Sequence, residues 1–360
     1  MQGVFFTPPL ATAATRHSAD AVLAALARRH PRWRLPASPR AAMAALAVRL
    51  GQDRQASAHL RVVDTREAPA GAGGKVVQAS AWPLRYARVG QDEMPLLYLV
   101  RAQSVAALRA LLQASCGRGV VCNDAEAVVQ QARWPKGVEP TLPAWLAAQP
   151  ECLPFDPASG QEARAILDGA LRALYLEQQP GFYYLATHDG DVPQEAALTE
   201  SEAAAACQGM YLLPSQHAGT QAQVRLCGAG SALAPVCEAA QLLWQEWGVA
   251  AETWSCPSYT RLARDAGKAE HWNLCHPLEP QRNAHLHRCL DGSDAPVVAA
   301  SGYGCHIAGQ IGAHLRARLI ALDADAGAGS IVLAALKALA HENAFPVERL
   351  EQALLRYGRC

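Results

Sequence analysis

Gly228-Ala-Gly230 stands between a short apolar run, Gln223-Val-Arg-Leu-Cys227, and a long helical pattern. Amides at such a strand-to-helix turn point outward together and can receive an anion. A dinucleotide fingerprint needs a third glycine at position 233, which is Leu, and an acidic residue ending the next strand, which closes on Trp254-Ser255. The tight turn of an α/β unit is therefore a better reading than nucleotide binding. His285, His287 and Cys289, with Cys275 and His276 upstream, are residue types that ligate zinc, but their spacing matches no common structural zinc pattern. Arg264 and Asp265 are adjacent, and an internal salt bridge or helix cap explains them better than acid–base chemistry. Serines and histidines are plentiful, yet there is no G-x-S-x-G elbow, so no nucleophilic triad can be assigned.

These residues sit in a chain of 360, long enough for two domains. Apolar residues make up 51% and charged residues 18%, which supports a sizeable core and excludes a disordered tail. The 32 basic and 32 acidic side chains cancel, which argues against nucleic acid, because phosphate binding needs a surplus of cations. No run reaches the length of a membrane span, and the opening residues lack the basic stretch and apolar core of a signal peptide. None of the eleven cysteines forms a C-x-x-C pair, and Cys152, Cys227 and Cys256 lie in apolar runs. That predicts reduced thiols used as small apolar residues in a cytoplasmic protein.

The elements that must position these groups alternate. Helical spacing predicts helices over residues 19–28, 39–50, 104–115, 125–132 and 159–177. The last is strongly amphipathic, with Ala163, Ile166, Leu167, Ala170, Leu171 and Leu174 on one face. Strands are predicted over 60–64, 95–100, 119–122, 152–155 and 181–186, and residues 68–74 read as a loop. The polar stretch 188–201 reads as an interdomain linker. Beyond it come strands over 223–227, 249–255, 296–300 and 318–322, with helices over 231–247, 330–340 and 346–355. This alternation implies mostly parallel sheets covered on both faces.

The run Ser258-Tyr-Thr-Arg-Leu-Ala-Arg-Asp265, followed by His271-Trp-Asn-Leu-Cys-His-Pro-Leu-Glu279, resembles the decarboxylating component of homodimeric pyruvate dehydrogenases, which are thiamine-diphosphate enzymes of the transketolase type. That family carries a similar S-F-T-E-L-A-R-D run, then W-N and H-P-L-E. Asp156-Pro157, the strand Phe182-Tyr183-Tyr184, Gly209-Met-Tyr-Leu212, Val224-Arg-Leu-Cys-Gly-Ala-Gly-Ser231 and Ile331-Val-Leu-Ala-Ala-Leu336 extend the resemblance over roughly residues 151–355. It implies an α/β fold of two three-layer α/β/α domains. Residues 1–190 would be a divergent pyrimidine-binding-like domain, and residues 191–360 a transketolase C-terminal-like domain with a mostly parallel sheet. In this family the position of His276 is structural, which favours packing over metal binding.

The family's chemistry is poorly represented. No pyrophosphate domain fits. Gly190-Asp191 lacks the downstream Asn and the strand–helix context of a G-D-G…N motif and reads as a solvated linker turn. Glu67 is the one positional candidate for the carboxylate at the aminopyrimidine ring, and a surface-loop glutamate is the better reading. The Q-H-E-D-G-x-S-H segment would fall between Cys122 and Cys152, where there is no histidine. The G-T-D-G-F-G-R-S-D segment is reduced to residues 323–330. No catalytic residue, no cofactor-binding residue and no metal ligand is therefore assigned. The chain alone is expected to bind no cofactor, with thiamine diphosphate and Mg²⁺ held only if a partner chain completes the site. The expected role is a shortened, non-catalytic homologue: a pseudoenzyme, or an assembly or regulatory subunit. The alternative is one subunit of a split thiamine-dependent 2-oxoacid dehydrogenase or transketolase-like enzyme, with its pyrophosphate domain on another chain. The expected partner is a second copy, as a homodimer, or a thiamine-enzyme chain. Nothing in the sequence selects a third possibility, a small-molecule sensor.

Overall fold

In this computed structural model the described residues are 12–28, 34–66, 88–89, 92–114, 118–124, 138–190, 197–214 and 221–358. The fold is α/β. The chain divides into two compact units, Met1–Phe155 with Ala163–Asp189, and Asp156–Glu162 with Gly190–Cys360.

In the first unit, helices α1 (Ala13–Ala27), α2 (Pro39–Gln52) and α3 (Ala56–His59) precede strand β1 (Arg61–Asp64). The short pair β2 (Arg88–Val89) and β3 (Asp92–Glu93) leads to β4 (Leu96–Val100), α4 (Val105–Ala114), β5 (Gly119–Asn123), α5 (Thr141–Ala148) and β6 (Cys152–Phe155). Helix α6 (Gly160–Leu171) widens into a π-helical turn, Arg172–Leu176, before β7 (Phe182–Ala186). The sheet is wholly parallel, in the order β1-β4-β5-β7-β6. Leu97, Leu99, Val120, Cys122, Tyr183 and Leu185 face a core built with α1, α2 and α6. The alternate residues Leu96, Tyr98, Val100, Val121 and Tyr184 point to the opposite face and are also buried. All six residues predicted to line one side of α6 and its extension are buried in this core.

The second unit has α7 (Glu200–Gln208), β8 (Tyr211–Leu212), β9 (Val224–Ala229), α8 (Leu233–Leu242), β10 (Ala251–Ser255), α9 (Tyr259–Cys275), α10 (His285–Leu290), β11 (Val297–Ser301), α11 (Cys305–Ala308), β12 (Leu319–Leu322), α12 (Ala328–His341) and α13 (Val347–Tyr357). Its sheet order is β12-β11-β9-β10-β8, parallel except for β8 at the edge. Leu226, Val298 and Ala300 face a core with α8 and α12, while Cys227, Trp254, Val297 and Ala299 face one with α9 and α10. Both faces are covered, so this sheet is the middle of three layers.

Two expectations need correction. The linker predicted over 188–201 is partly structure. His188 is buried, its carbonyl accepts the Arg40 N–H at 3.1 Å, and α7 starts inside the stretch behind a capping box of Thr199 and Glu202. Short polar residues there serve helix ends, a use that composition alone does not distinguish from a linker. The turn predicted at Gly228-Ala-Gly230 is mostly strand: β9 runs through Ala229, and the chain turns from Gly230, at φ +52°, through a 3-10 turn over Gly230–Ala232. The predicted loop 68–74 and helix 125–132 lie outside the described residues.

Candidate functional site

Open parallel sheets offer ligands the edge at the carboxyl ends of their strands, where loops diverge. In the first unit that edge is charged. Arg66 follows β1, Arg101 follows β4, Asp124 follows β5 and Asp189 lies just beyond β7. Helix α2 adds Arg40 from its first turn, with Ser38 capping the helix by accepting the Ala41 N–H at 3.2 Å. The Asp124 side chain is only 2% exposed and receives three guanidinium groups: Arg40 Nε at 3.1 Å, Arg101 Nη2 at 3.3 Å and Arg66 Nη1 at 4.0 Å. Arg40 also pairs with Asp189, which accepts the Ser38 hydroxyl at 3.4 Å. Arg66 grips Asp64 with two parallel bonds of 2.9 and 2.6 Å. Those bonds hold the Asp64 carboxyl below its usual range and push Arg66 up. Burial works to lower the pKa of Arg40, but Asp189 and Asp124 together raise it. Between these groups lies a cavity of about 370 Å³, lined by Arg40, Arg66, Arg101, Asp124 and Asp189 with Ala41 and Ala44.

The strand ends are set rigidly beneath it. Asn123, the last residue of β5, is 2% exposed. Its side chain bonds the backbone of Ala102 and donates to the Tyr184 hydroxyl at 2.9 Å. The Asp124 N–H donates to the Val100 carbonyl at 2.8 Å. Such an arrangement holds its own paired charges at fixed positions. Among the described residues it contains no nucleophile paired with a base.

The second unit holds a different constellation around Glu162, which is fully buried. One carboxylate oxygen accepts the Tyr211 hydroxyl at 2.7 Å and the Ser255 hydroxyl at 2.6 Å, and the other accepts the Ala158 N–H at 2.7 Å. Burial raises its pKa, while these three donors work the other way. The network ties the segment Asp156–Glu162 to β8 and β10.

The residues singled out in the sequence fall elsewhere. The anion-receiving turn is occupied from within: the Gly230 N–H donates to the Asp156 carbonyl at 2.9 Å, and the Asp156 carboxylate lies where a Gly230 Cβ would stand. His285 and His287 each bond a backbone carbonyl, of Met210 at 2.8 Å and of His314 at 3.0 Å, and Cys289 lies 3.6 Å from His285. His276 stacks on Trp272, which Arg282 covers from 3.5 Å. Among the described residues no three His, Cys, Asp or Glu side chains come together as a metal site requires. Asp265 does cap a helix, though not its own, by accepting the His285 N–H at 2.8 Å. Glu67 and Asp191 lie outside the described residues. Arg40, Arg66, Arg101, Asp124 and Asp189 were missed in the sequence, although three of them stand within two residues of a predicted strand's carboxyl end, the signal that finds such sites.

Residues 209–322 match the family of transketolase-like TK C-terminal domains. The pyruvate dehydrogenase E1 component of Cupriavidus necator is 32% identical over 231 residues, covering 59% of this chain and 26% of that protein. The E1 component of Escherichia coli K12 is 35% identical over 154 residues, covering 43% of the chain and 17% of that protein. The chain spans about a quarter or less of the length of these curated relatives. Among solved structures, transketolase from Leishmania mexicana superposes with a TM-score of 0.55 at 13% identity, over 96% of this chain and 49% of that one. A split-gene transketolase chain, solved as an inactive β4 tetramer, gives 0.51 at 15% identity, over 85% of this chain and 99% of that one. Among the described residues no helix is long and apolar enough to cross a membrane. The C-terminal part of this chain is thus related to the pyruvate dehydrogenase E1 component, and the two α/β units share the fold of transketolases.

Proposed function

We propose that this chain does not carry out thiamine-dependent chemistry by itself and serves in the cytoplasm as an assembly or regulatory relative of the pyruvate dehydrogenase E1 component. The observation that carries this reading is the network around Asp124. An aminopyrimidine ring is flat, largely apolar on its faces, and needs one carboxylate free to share a proton with its ring nitrogen. The described edge of the first sheet instead presents three guanidinium groups and three carboxylates, Asp64, Asp124 and Asp189, each already paired with them. Seating the ring there would strip water from cations without pairing them. The described residues of this edge therefore do not fit the cofactor, and no reaction step is assigned to them. Calorimetric titration of the full chain with thiamine diphosphate and Mg²⁺, alongside a pyruvate decarboxylation assay, tests the reading. No saturable heat and no turnover are expected. A dissociation constant in the low micromolar range, or turnover by the chain alone, would overturn it.

A second reading, one subunit of a split thiamine enzyme, draws support from the split-gene transketolase chain, which aligns over 99% of its own length and is described as inactive as a β4 tetramer. On either reading the chain associates, with itself or with a thiamine-enzyme chain. Light scattering after size exclusion, with and without a co-expressed pyrophosphate-domain chain, separates the two. Activity that appears only in the mixture would replace the first reading by the second.

A further inference from the structure

We propose that the cavity at the carboxyl edge of the first sheet binds a small oxyanion, a carboxylate or a phosphate, through Arg40, Arg66 and Arg101. This goes beyond the non-catalytic reading and does not depend on it.

The cavity is concave, lies where open parallel sheets receive ligands, and at about 370 Å³ has room for a small molecule. The decisive feature is an excess of donors. Each guanidinium carries more N–H groups than one carboxylate can accept, arranged in a planar fork that suits two oxygens of a single anion. Arg66 spends its fork on Asp64, and Arg40 divides its donors between Asp189 and Asp124. Arg101 has one ion pair among the described residues, with Asp124 at 3.3 Å, and its side chain remains 35% exposed. Asp124 is buried at the floor of the cavity and is ion-paired three ways, although its Oδ1 makes no hydrogen bond.

With Asp64 included the cluster is electrically balanced, so attraction comes from aimed donors and not from net charge. Asp189, 57% exposed at the rim, is the group an entering anion would replace on Arg40. The two alanines of α2, Ala41 and Ala44, keep one wall short and leave space beside the guanidinium groups. A neutral ring gains nothing from such a wall. An oxyanion supplies the acceptors it lacks.

The test uses the full chain in low-salt buffer, because screening weakens exposed ion pairs. Thermal melting and calorimetry are run with sodium phosphate in one arm and sodium malonate in the other, against sodium chloride at matched ionic strength. A saturable rise in melting temperature with one or both anions, and none with chloride, is expected. Phosphate alone or malonate alone assigns the ligand to that chemistry, and both together assign an undiscriminating oxyanion site. Arg101→Gln should weaken binding at least tenfold. Ala44→Leu, which fills the cavity and keeps every arginine, should do the same and decides the matter if the first variant does not fold. No saturable effect of either anion, or wild-type binding by Ala44→Leu, overturns the proposal.

Discussion

The Asn123 carboxamide pairs with the Ala102 backbone in both directions: Oδ1 accepts the Ala102 N–H at 2.8 Å, and Nδ2 donates to the Ala102 carbonyl at 2.8 Å. The pair continues the β4–β5 ladder one step past its end. It thereby fixes where Arg101 and Asp124 leave their strands, and so where their ion pair forms.

Asn123→Ala leaves both Ala102 groups buried without that partner, and should cost about 3 kcal/mol. Urea denaturation measures it. Asn123→Asp should be no milder, because a carboxylate cannot donate to the Ala102 carbonyl. A loss under about 0.5 kcal/mol in both variants would show that water or a neighbour takes over.

Asp124→Asn removes the charge shared by Arg40, Arg66 and Arg101 and should destabilise the first unit by about 3 kcal/mol, since it leaves cations beside a buried neutral group. The double variant with Arg101→Gln should recover part of that loss. Additive losses in the double-mutant cycle would mean that Arg101 and Asp124 are not coupled.

Gly230→Ala is expected to be among the costliest single-methyl changes in the second unit, at about 3 kcal/mol or more. Its φ of +52° disfavours a side chain, and the new Cβ would land on the Asp156 carboxylate. Gly228→Ala, whose Cβ would stand 2.9 Å from Leu233 Cα, should cost less because its backbone is ordinary. Melting temperatures of the two variants give the order directly.

Glu162 carries a pH prediction. Its folded pKa lies above the unfolded value of 4.5, chiefly because of burial. A carboxyl shifted this way contributes stability that is fully present below the unfolded pKa and is lost as pH rises through the folded one. Wild type should therefore lose stability relative to Glu162→Gln as pH rises from 4 toward neutrality. Chemical unfolding at several pH values reads the difference, and parallel curves would show that the donors from Tyr211, Ser255 and Ala158 offset burial completely.

Much of the fold was legible because it is local. Ala163, Ile166, Leu167, Ala170 and Leu171 recur at helical spacing, and that spacing alone puts them on one face, which is buried. The apolar runs of β4, β5 and β7 are too short for helices and bounded by turn residues, so they read as strands. The cysteines were legible too: Cys152, Cys227 and Cys256 are buried, as their place in apolar runs predicts. The C-terminal relationship was carried by a contiguous run, Ser258 to Glu279, which in the structure is a capped helix and the turn after it.

The charged edge was not legible, since no local period contains it. Arg40 and Asp189 form an ion pair across 149 positions of sequence, and they meet because β7 inserts between β5 and β6 in the sheet. Likewise, nothing near Gly230 announces that Asp156 fills its anion-receiving turn. Periodicity reports which face of an element is apolar, because burial acts on each element's own side chains. Which strand ends become neighbours, and so which charges must pair, depends on strand order, and that is decided only when the whole sheet closes around its core.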